Sequence, residues 1–326
     1  MKIKIAFFGT QDFAATILAG ILTDKSISIE AVFTQPDRKV GRKQILEESP
    51  VKKLALKHNL NIAQPESLKN FELTPSTYDL AVVAQYGLII PKNIIESFPR
   101  GMINVHGSIL PKYRGASPIQ ASLILGKTTT GITIMLMDEL VDHGPILAQK
   151  SLPIDPDDTF TTLAEKMALE GSKLLLNTLP GYLDDSISPQ IQDHSQATFT
   201  GLLTKEGGKI DFSKSADEIY NLYRGLTPWP GVWCLWNEKR LKLLKIFPIS
   251  VTPKSRILDF ASSKIGTKSE KNLPAGEVLV ENKRIFVGCG KNSSIEVLEL
   301  QLEGKNAMSA EVFANGYKDL NRVKLV

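Results

Sequence analysis

Five short apolar runs dominate the first half of this 326-residue chain: Ile3–Phe8, Ile29–Thr34, Leu80–Gln85, Met102–Val105 and Ile132–Met137. None shows the alternation of a strand with one wet face, so each must be covered on both sides. The segments between them that can supply the cover, Ala14–Leu22, Val51–His58 and Pro118–Leu125, have helical apolar spacing. Strands alternating with helices predict a doubly wound α/β domain with a mostly parallel sheet. Ligands of such sheets gather beyond the carboxyl ends of the strands, and Tyr86, Asn104, His106 and Asp142 are each expected at such an end.

The alternation stops after Lys150. Asp157–Thr159 reads as a helix start, and Leu163–Leu179 keeps helical spacing until Pro180 and Gly181, which are expected to end it. Residues 184–205 are polar and proline-bearing and read as a linker. Beyond Ile210 a short helix, Ala216–Arg224, precedes short apolar runs at Val232–Trp236, Lys239–Phe247, Gly276–Glu281, Arg284–Gly288 and Ser294–Leu302. That spacing, with glycine turns, predicts a small β-barrel. Trp229 and Trp233 read as packing residues, and the Lys- and Ser-rich stretch Pro253–Leu273 as an extended loop. The expected division is 1–183, a linker over 184–205, and 206–326, and the length allows a core in each domain.

Charge separates the same two regions. Residues 1–204 hold 19 Lys and Arg against 21 Asp and Glu, whereas residues 205–326 hold 20 against 14. A basic small barrel beside a nearly neutral domain suits a phosphodiester partner, because contacts to phosphates release counterions. A second basic element, Arg38, Lys39, Arg42 and Lys43, falls in a connection too long and charged for a minimal strand-to-helix turn.

The run INVHGSILPKYRGASPIQ carries the most chemistry. Successive strand residues alternate faces, so Asn104 and His106 project from one side. Taken singly, either is an ordinary turn or strand-end residue. Together with Asp142 they form a set in which an amide and an imidazole can hold an oxyanion while a carboxylate orients the ring and accepts a proton through water. Acyl transfer to an amine is the chemistry that needs this set. Competing chemistries lack their residues. Gly9 is the only glycine in the run GTQDFAATIL that follows the first strand, so the dinucleotide fingerprint is missing there, and no phosphate-cradling G-x-x-x-x-G-K-[ST] run occurs. Ser108 does not sit in a nucleophile elbow. Two cysteines, Cys234 and Cys289, are too few for a disulfide framework or a cysteine zinc site, and no metal is expected. The first strand begins at once and no apolar run reaches the ~18 residues of a membrane helix, so a cytoplasmic protein without a signal peptide is expected.

The segments NVHGSILPKYRGASPIQ and TGITIMLMDELVDHGPIL resemble the formyltransferases that use 10-formyltetrahydrofolate. FFGTQDFAATIL, TQPDRKVGRK followed by SPVK, AQYGLIIPK, GLTPWPGVW and GKNAMSAE narrow the resemblance to the members that formylate the initiator methionyl-tRNA, and together they span nearly the whole chain. The resemblance implies a Rossmann-like catalytic domain, an oligonucleotide-binding-like barrel, and Asn104, His106 and Asp142 as the catalytic triad. It implies folate contacts at Gln85, Tyr86, Gly87, Leu88, Ile89, Ser108, Leu110, Pro111, Met137 and Asp138. It also implies that Arg38, Lys39, Arg42 and Lys43 reach the tRNA acceptor stem, with Arg42 leading, in a monomer of the bacterial cytoplasm or of an organelle. Two departures stand out. Lys43, Gln44 and Ile45, followed by Glu47 and Glu48, replace a more basic run after Arg42, and His143 replaces the threonine usual after the catalytic aspartate. A formyltransferase acting on a small amine, a folate hydrolase and a non-catalytic RNA-binding protein are the alternatives.

Overall fold

The computed structural model describes residues 2–40, 44–71, 73, 77–249 and 273–326. They form two compact units, one of residues 1–118, 129–153 and 162–201, the other of 119–128, 154–161 and 202–326.

The first unit is built on a seven-stranded sheet, in the order Ile146–Pro153, Thr129–Leu136, Met102–His106, Leu80–Ala84, Ile3–Gly9, Ile27–Phe33 and Ile62–Ala63. The last five are mutually parallel, and Thr129–Leu136 runs antiparallel to both of its neighbours. The five expected runs all lie in it. Ile62–Ala63 was not anticipated because two residues carry no period. Ile146–Pro153 was not anticipated because it is an edge strand bearing Gln149, Lys150 and Ser151. Leu80–Ala84 is buried along its whole length, as a parallel strand between helical layers must be. Helix Pro50–Lys57 starts at Ser49, whose hydroxyl accepts from the Lys52 amide, with proline at the first helical position. Helix Phe160–Leu183 runs through Pro180, against expectation. Pro180 lies in the last turn, where its missing N–H removes one bond, and its carbonyl still accepts from the Asp184 amide. Phe8 stacks on Phe33 at 4.3 Å between centroids and meets Tyr86 edge-on at 5.4 Å. This aromatic cluster fixes the turn after Leu80–Ala84 against the sheet.

In the second unit an antiparallel sheet runs Val232–Trp236, Lys239–Ile249, Ser293–Leu302, Arg284–Cys289 and Val278–Glu281, with Met308–Ser309 paired to Ser293–Leu302. The last residues of the chain close it. Val326 exchanges backbone bonds with Leu235 at 2.7 and 3.1 Å, while Leu325 N–H donates to the Gly276 carbonyl and Val278 N–H to that of Val323. The two open edges are thus joined through one C-terminal segment and the sheet becomes a barrel, which removes exposed ladder groups. Helix Ala216–Leu226 opens with a reciprocal capping box between Ser215 and Glu218. Its buried Arg224 donates to the Asp155 and Asp158 carbonyls and to Asn221 Oδ1, tying residues 154–161 to the barrel. Trp233 packs within this unit, donating its indole N–H to the Lys205 carbonyl under the Arg240 guanidinium. Trp229 does not, being 55% exposed. Of the Pro253–Leu273 stretch, only Leu273 lies among the described residues.

Cys234 and Cys289 are both buried, and burial pushes each thiol up to about 12. Neither is therefore a reactive thiolate at neutral pH. Native protein should resist maleimide labelling over hours at pH 7 and take up two equivalents once unfolded, a result read directly by mass.

Candidate active site

Strand Met102–His106 lies next to the antiparallel Thr129–Leu136 and ends at the carboxyl edge of the parallel strands. Its alternation brings Asn104 and His106 to one acceptor. Asn104 Nδ2 donates to Asp142 Oδ1 at 3.3 Å, and His106 Nδ1 stands 3.4 Å from the same oxygen. The other carboxylate oxygen, Oδ2, accepts from the Gly115 amide at 2.7 Å. His106 Nε2 faces the Tyr113 carbonyl at 3.2 Å, a group that only accepts, so that nitrogen carries a proton.

Asp142 does not end a strand, as the sequence suggested. It lies in the connection between Thr129–Leu136 and Ile146–Pro153, with φ at +50°. A non-glycine residue in that left-handed region costs on the order of 1–2 kcal/mol and persists only where its surroundings hold it. The holding groups are local and non-local. A Cβ on Gly144 would meet the Leu136 carbonyl oxygen at 2.1 Å, so this position admits only glycine. Gly115, at φ +108°, is equally constrained, since an added Cβ would stand 2.3 Å from the Thr200 oxygen. Gly115→Ala is expected to destabilise the protein by at least about 2 kcal/mol through strain and overlap. It should also lower kcat by pulling the Gly115 amide from Asp142, and chemical denaturation together with initial rates checks both.

The residues expected to meet folate fall into groups. Met137 and Asp138 line a cavity of about 300 Å³ together with Lys92, Ile95, Glu96 and His143. Gln85, Gly87 and Ile89 are exposed and Leu88 half-buried on the turn after Leu80–Ala84, Ile89 at 90%. Tyr86 turns inward. Its hydroxyl has no partner among the described residues, burial pushes its pKa up to about 12, and its carbonyl accepts from Thr10 Oγ1 and Gln35 Nε2. Ser108 is wholly buried and donates to the Lys112 carbonyl, and Leu110 is buried with its carbonyl held by Gln149. The Pro111 carbonyl accepts from the Thr198 amide. The side chains of Tyr86, Ser108 and Leu110 therefore shape the site from beneath. Lys92, which pairs with Glu139 at 3.2 Å, closes the AQYGLIIPK segment but was not singled out, because a lone lysine at a helix start reads as a solvated surface charge.

In the basic connection, Arg38–Val40 pairs with Ile45–Glu47 as a short hairpin. Arg38 and Lys39 are exposed, with Arg38 bonded to Gln35 Oε1. Arg42 and Lys43 lie outside the described residues. The acidic departures Glu47 and Glu48 are answered by the following helix, through Lys53 at 3.0 Å and Lys52 at 3.4 Å.

Residues 184–201, read as a linker, lie against the first unit. Phe199–Thr200 pairs in parallel with Arg114–Gly115, and Gln190 exchanges two backbone bonds with Ile146. From this segment Gln192 and His194 reach Arg114, and Gln192 also reaches the Asp142 connection. His143 Nδ1 donates to Asp138 Oδ2 at 2.6 Å, and the ring stacks on His194 at 4.0 Å. The sequence offered no signal for these partners beyond polar residues in a stretch expected to be solvated.

A mostly parallel sheet with this amide, imidazole and carboxylate at its edge, in a chain that also holds a small barrel, has the architecture and the site of a group transferase. The formyl transferase family model matches residues 1–179, and the formyl transferase C-terminal domain matches residues 202–318. The chain belongs to the formyl transferase family. The methionyl-tRNA formyltransferase of Caldicellulosiruptor saccharolyticus is 42% identical to it over 319 residues, 96% of this chain and 97% of that protein. That of Koribacter versatilis is 39% identical over 326 residues, covering 98% of each. Among solved structures, the sugar 3N-formyl transferase WlaRD, in the presence of dTDP and 5-N-formyl-THF, aligns with a TM-score of 0.64 at 18% identity, over 94% of this chain and all (100%) of that one. An N-formyltransferase from Helicobacter canadensis aligns with the same TM-score, 0.64, at 17% identity, over 90% and 98% of the two chains. At those identities the likeness is one of fold.

Proposed function

We propose that this protein transfers the formyl group of 10-formyltetrahydrofolate to the α-amine of initiator methionyl-tRNA. The observation that carries the chemistry is the convergence of Asn104, His106 and the Gly115 amide on the Asp142 carboxylate. The substrate follows from the full-length relatives that bear that name and from the net basic charge of residues 205–326.

The folate supplies the formyl group. Its heterocycle is assigned to the cavity lined by Met137, Asp138 and His143, where the Asp138 carboxylate and the main chain of the Met137–Leu140 stretch can meet ring donors and acceptors. Asn104 spends one amide proton on Asp142 and keeps a second for the oxygen that becomes negative when the amine adds to the formyl carbon. His106 holds its partners at 3.2 and 3.4 Å, long contacts that can give way to a stronger acceptor. Such donors contribute on the order of 3 kcal/mol each to an oxyanion. Asp142 accepts the proton leaving the amine, directly or through one water, while the Gly115 amide keeps its carboxylate aimed. The intermediate then collapses, the formyl carbon–nitrogen bond to the folate breaks, and that nitrogen leaves with a proton as tetrahydrofolate. Arg38, Lys39, Arg42 and Lys43 supply phosphate contacts to the acceptor stem, and the barrel supplies the remainder.

The test is an assay of the purified protein with 10-formyltetrahydrofolate and charged initiator tRNA, charged elongator tRNA, a small amine, or water. Formylation confined to the initiator supports the proposal. Formylation of the small amine alone, or release of formate in water alone, replaces it with a small-amine transferase or a hydrolase.

A further inference from the structure

We propose that Gln192 is a positioning residue for Asp142, holding the left-handed connection in place from a segment that lies outside the family's N-terminal match. The proposal rests on the formyl-transfer reading above. Gln192 Nε2 donates to the carbonyls of both Asp142, at 2.9 Å, and Gly144, at 2.7 Å. Its Oε1 accepts from Arg114 Nε at 3.2 Å and Nη2 at 2.7 Å. One primary amide therefore uses both of its protons and both of its lone pairs.

That saturation fixes its orientation. A flipped amide would set its oxygen against two carbonyls and its NH2 against a guanidinium, losing every bond at once. Gln192 and Arg114 are only 4% and 3% exposed, so water cannot substitute for the lost partners. Arg114 Nη2 also donates to His194 Nδ1 at 2.8 Å, which leaves the imidazole proton on Nε2. Neighbouring backbone pins the segment on both sides, through the Gln190–Ile146 pair and the Phe199–Thr200 ladder on Arg114–Gly115. Gly115 in turn donates to Asp142 Oδ2. The carboxylate and the carbonyl of one strained residue are thus held from opposite ends by two stretches of chain that pair with each other. Without the Gln192 bonds, Asp142 is expected to relax from φ +50° and to draw its carboxylate away from Asn104 and His106.

The decisive variant is Gln192→Glu, which keeps the shape and the Arg114 contact but sets carboxylate oxygens against two carbonyls. It should still fold, with a lowered melting temperature because two carbonyls lose their buried donor, lower kcat roughly 10- to 100-fold, as misplacement of a catalytic group does, and leave KM for both substrates within about threefold. Gln192→Ala should show the same split. In an Asp142→Asn background, Gln192→Glu should add no further loss, because a residue acting only through Asp142 has nothing left to position. Ile191→Ala, altering the exposed neighbouring side chain, should leave turnover unchanged. Exchange of the Gly115 amide, read by NMR, follows the clamp without any assay of activity and should quicken at least about tenfold in Gln192→Ala. Wild-type kcat with unchanged Gly115 exchange, fully additive losses with Asp142→Asn, or failure of both Gln192 variants to fold would each overturn the proposal. A wild-type protein that formylates no charged tRNA would instead overturn the functional reading, leaving the Gly115 exchange to decide the clamp.

Discussion

Replacing His106 by alanine is expected to lower kcat by roughly 10²- to 10³-fold while the fold and the KM for the formyl donor stay close to wild type. The ring is buried at the end of a strand whose neighbours on both sides are paired, so its removal leaves the sheet intact. What goes is the imidazole between the Tyr113 carbonyl, 3.2 Å from Nε2, and the Asp142 carboxylate, 3.4 Å from Nδ1. Asn104→Ala and Asp142→Asn should each produce a comparable loss, the first by removing an oxyanion donor, the second by removing the charge that accepts a proton. The three should not add. A group that acts as a unit is largely disabled by its first deletion, so the triple variant should be little worse than the worst single one. Steady-state rates of the folded variants decide this, and turnover within twofold of wild type in any one of them removes that residue from the mechanism.

The second large effect is on salt. If the +6 balance of residues 205–326 and the Arg38–Lys43 element hold the tRNA through its phosphates, affinity should fall on the order of 10³-fold or more between 50 and 200 mM salt, the response of a protein making about six to ten phosphate contacts. Affinity for the folate should move little over the same range. Arg42→Ala should raise KM for methionyl-tRNA, leave donor binding intact and shallow the salt slope by about one contact. The pairing of Glu47 with Lys53 and of Glu48 with Lys52 bears on this element. Those acids are neutralised by the helix that follows, so they subtract less from the loop's field than the sequence implies. A flat salt response, measured by filter binding with charged tRNA, would contradict the electrostatic account of both elements.

Local pattern was enough to place much of this molecule. Continuous apolar runs located the five central strands because a strand covered on both faces excludes polar residues along its length. The period of two put Asn104 and His106 on one face, and the structure brings both to one oxygen. Glycine turns between short strands foretold the barrel, and composition separated a neutral region from a basic one.

Everything that depended on distant partners was decided by the tertiary structure. Asp142 was visible as a residue but not as a left-handed one, since its conformation is held by Gly115, Gln192 and the close approach of Gly144 to Leu136. Arg114 stood inside the quoted run but without a role, and Gln192 gave no signal, because hydrogen bonds between residues 78 apart leave no period to read. Edge strand Ile146–Pro153 was hidden by its own polar side chains, and closure of the barrel by Val323–Val326 needed the two sheet edges already in place. Helix Phe160–Leu183 continued past Pro180 because a proline in the last turn costs one bond, while the buried face of the helix, from Leu163 to Leu179, keeps the packing that favours it. Hydrophobic periodicity is a local consequence of burial and so survives in the sequence. The orientation of a carboxylate depends on bonds that form only after the chain has folded.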